Sequence, residues 1–92
     1  MKDYKDFPPI KYFIRVLKSC PQSAFLYTQL WQKKDRHNYL VMDKKDSRKD
    51  FLLSPTIFRN LLSHLVILNL VYFIENDGKI QVNIVGLNSD EQ

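Results

Sequence analysis

The chain predicts a mainly α protein with a small β-hairpin, α+β in class, and three observations carry that expectation. Ser54-Pro55 opens a run whose apolar residues recur at helical spacing. Asp77-Gly78 lies between two β-rich runs, and Asp-Gly is among the strongest short hairpin turns. Two glycines and four prolines in 92 residues, with 45% hydrophobic and 26% charged, describe a folded chain rather than a loop-rich one. The length suits a single domain over 1–92.

In chain order, residues 1–7 are charged and unpatterned and are expected to be a flexible end. Pro9 suits a first helical turn, and a helix is expected over 9–18. Ile10, Phe13, Ile14 and Leu17 form its main apolar stripe, expected to face the core. Tyr12 and Val16 form a second, partial stripe, expected to be covered by another copy of the chain as a homodimer interface. Pro21 starts a second helix over 21–34, with Ser23, Leu26, Tyr27, Leu30 and Lys34 on one face and Phe25 and Trp31 widening its apolar surface. A short strand is expected over 39–42 and a short helix over 44–51, whose end Phe51, Leu52 and Leu53 should anchor.

The helix opened by Ser54-Pro55 is expected over 55–68, burying Phe58, Leu61, Leu62, Leu65 and Leu68. Asn69 suits the left-handed position that closes a helix. The hairpin is expected over 71–75 and 79–85, with Ile80, Val82 and Ile84 buried by alternation. The polar end, 87–92 with Gly86 before it, is expected to be flexible.

Several function classes recede on composition. Fourteen Lys+Arg against ten Asp+Glu give +4 and a pI near 9.3, which permits a polyanionic partner without demanding one. Cys20 stands alone, so no intrachain disulfide is expected and a reducing, cytoplasmic setting fits. The start has no apolar signal segment, and the apolar run from Leu65 to Ile74 is far short of the ~20 residues of a membrane span. His37, His64 and Cys20 show no metal-ligand spacing, and Gly78 and Gly86 make no phosphate loop. Neither an enzyme, a metal site nor a cofactor is expected.

The order helix, helix, short strand, short helix, helix, hairpin resembles the winged helix-turn-helix DNA-binding domain, from about Pro21 to Val85. Ser54-Pro55-Thr56 looks like that family's entry into its recognition helix, and Leu68-Asn69-Leu70-Val71 matches its helix end, with Asn where Gly is usual. The resemblance implies that the helix 55–68 enters the major groove of duplex DNA and that the hairpin is the wing. The core assignment leaves Thr56, Arg59, Asn60, Ser63 and Ile67 on the outer side. Arg59 suits guanine N7 and O6, and Asn60 suits adenine N6 and N7. Ser54, Thr56 and Ser63 suit phosphates or bases, with Lys44, Lys45, Arg48 and Lys79 as backbone contacts. Interleaved Asp43, Asp46, Asp50, Glu75 and Asp77 oppose a phosphate backbone, and Ile67 and Val66 suit a protein partner better. The two expected functions are therefore a transcriptional regulator or replication accessory factor on duplex DNA, and a winged-helix protein-interaction module. A continuous positive field from Lys44 to Lys79 would favour the first; a patchwork of signs around an apolar centre would favour the second.

Overall fold

The computed structural model describes residues 7–85. The ends expected to be flexible, 1–7 and 87–92, fall outside that range apart from Phe7. The elements run α1 (Ile10–Ser19), α2 (Pro21–Lys33), β1 (Tyr39–Asp43), a 3-10 turn (Lys44–Asp46), α3 (Ser47–Phe51), α4 (Pro55–Ile67), β2 (Val71–Asn76) and β3 (Lys79–Ile84). Four helices thus pack with one antiparallel three-stranded sheet of order β1-β3-β2. Among the described residues, no helix is long and apolar enough to cross a membrane.

Local chemistry sets most element ends. Cys20, extended at φ −159°, separates α1 from α2, and Pro21 takes the first position of α2, where a missing N–H is harmless. The Asp35 carboxylate accepts from the N–H groups of His37 (2.8 Å) and Tyr39 (3.3 Å), folding the loop into β1. Ser54 Oγ accepts from Ile57 N at 3.2 Å and caps α4. Ser54→Ala should therefore destabilise the fold by about 1 kcal/mol in chemical denaturation, whereas Ser54→Asp should retain most of that stability. At its far end Asn69 stands at φ 64°; its N–H donates to Val66 O and that of Leu70 to Leu65 O, a Schellman closure. The Arg15 guanidinium donates to Leu68 O at 2.7 Å and satisfies another terminal carbonyl.

Asp77 (φ 52°) and Gly78 (φ 81°) both take positive φ, as a two-residue type I′ turn between β2 and β3 requires. Gly78 O accepts from Lys44 N at 2.8 Å, tying that turn to the 3-10 turn. β3 is the central strand: Leu40 and Phe73 flank Val82, and Met42 and Glu75 flank Ile80. The strand expected over 39–42 is thus a full sheet member, one residue longer, and the helix expected over 44–51 divides into a 3-10 turn and α3.

The core joins Val16, Leu26, Tyr27, Leu30, Phe51, Phe58, Leu62, Leu65 and the inward residues of the sheet. Burial pushes the Tyr27 phenol up to about 12, so it stays neutral. Phe58, Leu61, Leu62 and Leu65 are buried as expected, and Leu68 packs against them half-buried.

The phase of α1 is the reverse of the expectation. Val16 is 0% exposed in the core and Tyr12 and Phe13 pack against it, while Ile10 is 59% exposed and Ile14 and Leu17 are exposed too. Of the two residues expected at a homodimer interface, Val16 is therefore enclosed within its own chain, while Tyr12 is half-buried against the same core with Lys11 and Arg15 over its ring. Docking onto α2 decides this, with Arg15 swung round to the end of α4. Leu52 also departs from expectation: at φ 59° it turns the chain between α3 and α4 and is 84% exposed, so Phe51 and Leu53 alone anchor that end.

Candidate nucleic-acid interface

The outer side of α4 carries the residues expected there. Thr56, Arg59, Asn60, Ser63 and Ile67 are all exposed, because Phe58, Leu61, Leu62 and Leu65 point the opposite way. Thr56, Asn60 and Ser63 recur at i, i+4, i+7 and form an uncharged polar row at its centre. Ile67, 74% exposed, ends that row. Ser54 lies half-buried at its start, its oxygen already engaged with Ile57 N.

Arg59 leaves that row toward the β2–β3 hairpin. Its Nε donates to Glu75 Oε2 at 2.6 Å and its Nη2 to Glu75 Oε1 at 2.9 Å, a bidentate pair. Lys44 Nζ reaches the same carboxylate at 3.0 Å, so Glu75 links α4, the β2–β3 hairpin and the 3-10 turn. Pleating explains the position: Glu75 follows Val71 and Phe73 on the face of β2 that meets the helices. Nearer the turn, Lys79 Nζ meets Asp43 Oδ1 at 2.6 Å across the β1–β3 pairing.

These pairs fix the charge states. Hydrogen bonds from Lys44 and then Arg59 hold the Glu75 carboxyl below its usual range. Lys79 does the same for Asp43, which in turn raises the Lys79 ammonium. Both carboxylates are ionised at neutral pH. Because their folded values are depressed, any stability these pairs contribute is present above the ordinary carboxylate range. It is lost as pH falls through the lowered values.

The field from Lys44 to Lys79 is therefore broken by two carboxylates rather than continuous. Its centre, however, is polar and not apolar. Lys45, Arg48 and Lys49 are exposed and make no salt bridge within the described residues. Lys33 lies 5.5 Å over the Phe51 ring, which brings the end of α2 beside α3 and extends the cationic flank. Asp3, Asp6, Asp90 and Glu91 are four of the ten acidic residues and lie outside 7–85, against only Lys2 and Lys5 of the cations, so the segment 7–85 taken alone is more basic than the whole sequence.

Sequence reasoning missed the Glu75 clamp and the outward face of the sheet. On that face Val41, Tyr72 and Ile74 are exposed, and Val41 and Ile74 flank Gln81 in one cross-strand row. Strict alternation along β2 could have found the outward face, since it sends Tyr72 and Ile74 out, and the inward side of Glu75 beside Val71 and Phe73, but not the partners Glu75 meets there. His64, half-buried on α4, shares a 2.8 Å hydrogen bond between its Nε2 and Ser19 Oγ of α1. No protein-family model, curated protein or solved structure matches the chain.

Proposed function

We propose that this is a winged-helix DNA-binding protein, with α3 and α4 as its helix-turn-helix and the β2–β3 hairpin as its wing. The observation that carries the reading is the exposed row Thr56, Asn60 and Ser63 on α4, flanked by Arg59 on the wing side and by Lys45, Arg48 and Lys49 ahead of the helix. Asn60 matches an adenine edge and the two hydroxyl residues accept or donate to bases or phosphates. Glu75 serves two ends in this account. It aims the Arg59 guanidinium, whose remaining N–H groups can meet a guanine, and it lowers the positive charge that unspecific phosphate binding would use. Regulation of transcription and accessory work in replication both fit such a module, and no catalytic step is part of the reading.

Two variants test it by anisotropy on labelled duplexes of differing sequence. Arg59→Ala should weaken the best duplex by about 10-fold, as loss of one bidentate base contact does, while stability stays within about 0.5 kcal/mol. Glu75→Gln should do the converse, raising affinity for all duplexes while narrowing the gap between best and worst. Affinities unchanged in both variants would remove α4 and the wing from DNA recognition.

The second reading is a winged-helix protein-interaction module. The paired cations favour it, as do the exposed Ile67 at the end of the row and the apolar outward face of the sheet. Ile67→Asp separates the two: under the DNA reading it weakens duplex binding only mildly, whereas a protein partner loses the apolar contact at the end of the row.

A further inference from the structure

The outward face of the sheet repeats one arrangement twice. Antiparallel pairing sets Asn83 of β3 between Tyr39 of β1 and Tyr72 of β2, and two residues along it sets Gln81 between Val41 and Ile74. Each amide is thus a floor between two uncharged walls, because neighbouring residues of a strand alternate faces and Ile80, Val82 and Ile84 take the helix side. Val41 and Tyr72 are each 50% exposed and Ile74 is 54% exposed, so each row has a wall open to solvent. The two rows stand about 7 Å apart along the strands, and the backbones of the two walls about 10 Å apart across them. A depression of about 330 Å³ lies over the Gln81 row and the hairpin end, lined also by Asn76, Asp77 and Lys79. At the other end the His37 ring lies nearly parallel to that of Tyr39, 6.4 Å away and tilted by 24°.

Hydrogen-bonding valence then selects the occupant. Gln81 Nε2 donates to Asn83 Oδ1 at 3.1 Å, which holds the two amides against each other. That bond leaves an acceptor oxygen on Gln81 and donor N–H groups on Asn83. An apolar protein surface or a lipid layer laid over the rows would bury those groups without partners. A second copy stacked face to face fits poorly too. The rows span roughly 10 by 14 Å, far short of the about 800 Å² that each partner of a standard interface buries. An unpaired nucleobase supplies both things the rows ask for. Its two faces meet the walls, and its edge offers donors and acceptors to the amides. Net charge is not the selector, since Lys79 beside these rows is paired with Asp43 at 2.6 Å.

We infer that the outward face of the sheet binds single-stranded nucleic acid. Two neighbouring bases are held, one between Tyr39 and Tyr72 over Asn83, the other between Val41 and Ile74 over Gln81. Stacking and base-edge hydrogen bonds carry the affinity, with one phosphate near Lys79. The site lies on the side of the sheet away from α4 and does not depend on what α4 contacts.

The test is anisotropy on the full chain with a short labelled mixed-sequence single strand and with a strand of equal length built from abasic sites. The strand with bases should bind about 10-fold tighter or better, as stacking on aromatic side chains provides. One phosphate contributes about −0.7 to the salt slope of a single strand, so that binding should fall only about 3-fold between about 50 and about 200 mM salt. Tyr72→Ala, with its fold verified by circular dichroism, should weaken it about 10-fold, and Tyr72→Phe should restore it. Arg59→Ala should leave it unchanged. Equal binding of both strands, or of neither, overturns the proposal. Loss of binding in Arg59→Ala but not in Tyr72→Ala overturns it as well, because the strand would then lie on α4. So does self-association in sedimentation that Ile74→Asp abolishes, which would make the occupant a second copy.

Discussion

Phe58→Ala is expected to remove about 3–5 kcal/mol of stability, measured by chemical denaturation. Phe58 is fully buried in the first half of α4 and stacks on Phe51 of α3, with ring centroids 5.0 Å apart and planes 29° apart. Truncation leaves a cavity where α3 and α4 meet and forfeits a ring pair worth about 0.5–1.5 kcal/mol beyond its area. Domains of this size hold roughly 5–15 kcal/mol in all, so the variant should melt at least about 10 °C lower. Its consequences reach the proposed interface, because this ring pair sets the angle between the short helix with its cations and the helix with the polar row. A loss below about 1 kcal/mol would mean that the ring is not a core element and that the outer face of α4 is wrongly phased.

Val16→Glu is the second large effect, and its value lies in the contrast with Ile14→Glu two residues earlier. Val16 sits in the core beneath α1, where a carboxylate would be either desolvated or forced to stay protonated. An unpaired charge there should cost several kcal/mol, enough to leave the chain largely unfolded at 37 °C. Ile14 is exposed, so a glutamate in its place should change stability by no more than about 0.5 kcal/mol. The reverse order of effects would mean that α1 docks through its other face.

What the sequence made legible, and what it did not, divides by range. The Ser54 cap, the Asn69 closure and the Asp77-Gly78 turn were each readable because the backbone geometry they need is set within a few residues. The burial phase of α4 was readable as well, since only one of its faces is apolar enough to bury. α1 was not, because its apolar residues cover more than half of its circumference. Ile10, Phe13, Ile14 and Leu17 make as good a stripe as Tyr12, Phe13, Val16 and Cys20. Contact with α2 and with the carbonyl of Leu68 decides between them, and those partners are distant in sequence. The candidate site shows the same division. Exposure of Thr56, Arg59, Asn60 and Ser63 followed from helix period alone, whereas the Arg59–Glu75 clamp joins residues sixteen apart and required knowing that the β2–β3 hairpin packs beside α4. Two acid-lined gaps in a basic surface therefore escaped the sum of charges.

Binding of duplex DNA by α4 and the β2–β3 hairpin, as proposed, should show itself in the salt dependence of affinity. A labelled mixed-sequence duplex is titrated with the full chain at about 50 and about 200 mM monovalent salt. Each phosphate neutralised contributes about −0.9 to the slope of log affinity against log salt, so contacts from Lys45, Arg48 and Lys49 predict a slope of about −3. Binding should be tight at the lower concentration and fall by roughly 50-fold at the higher. Absence of binding at low salt, or an affinity indifferent to salt, would contradict it and leave α4 to a protein partner.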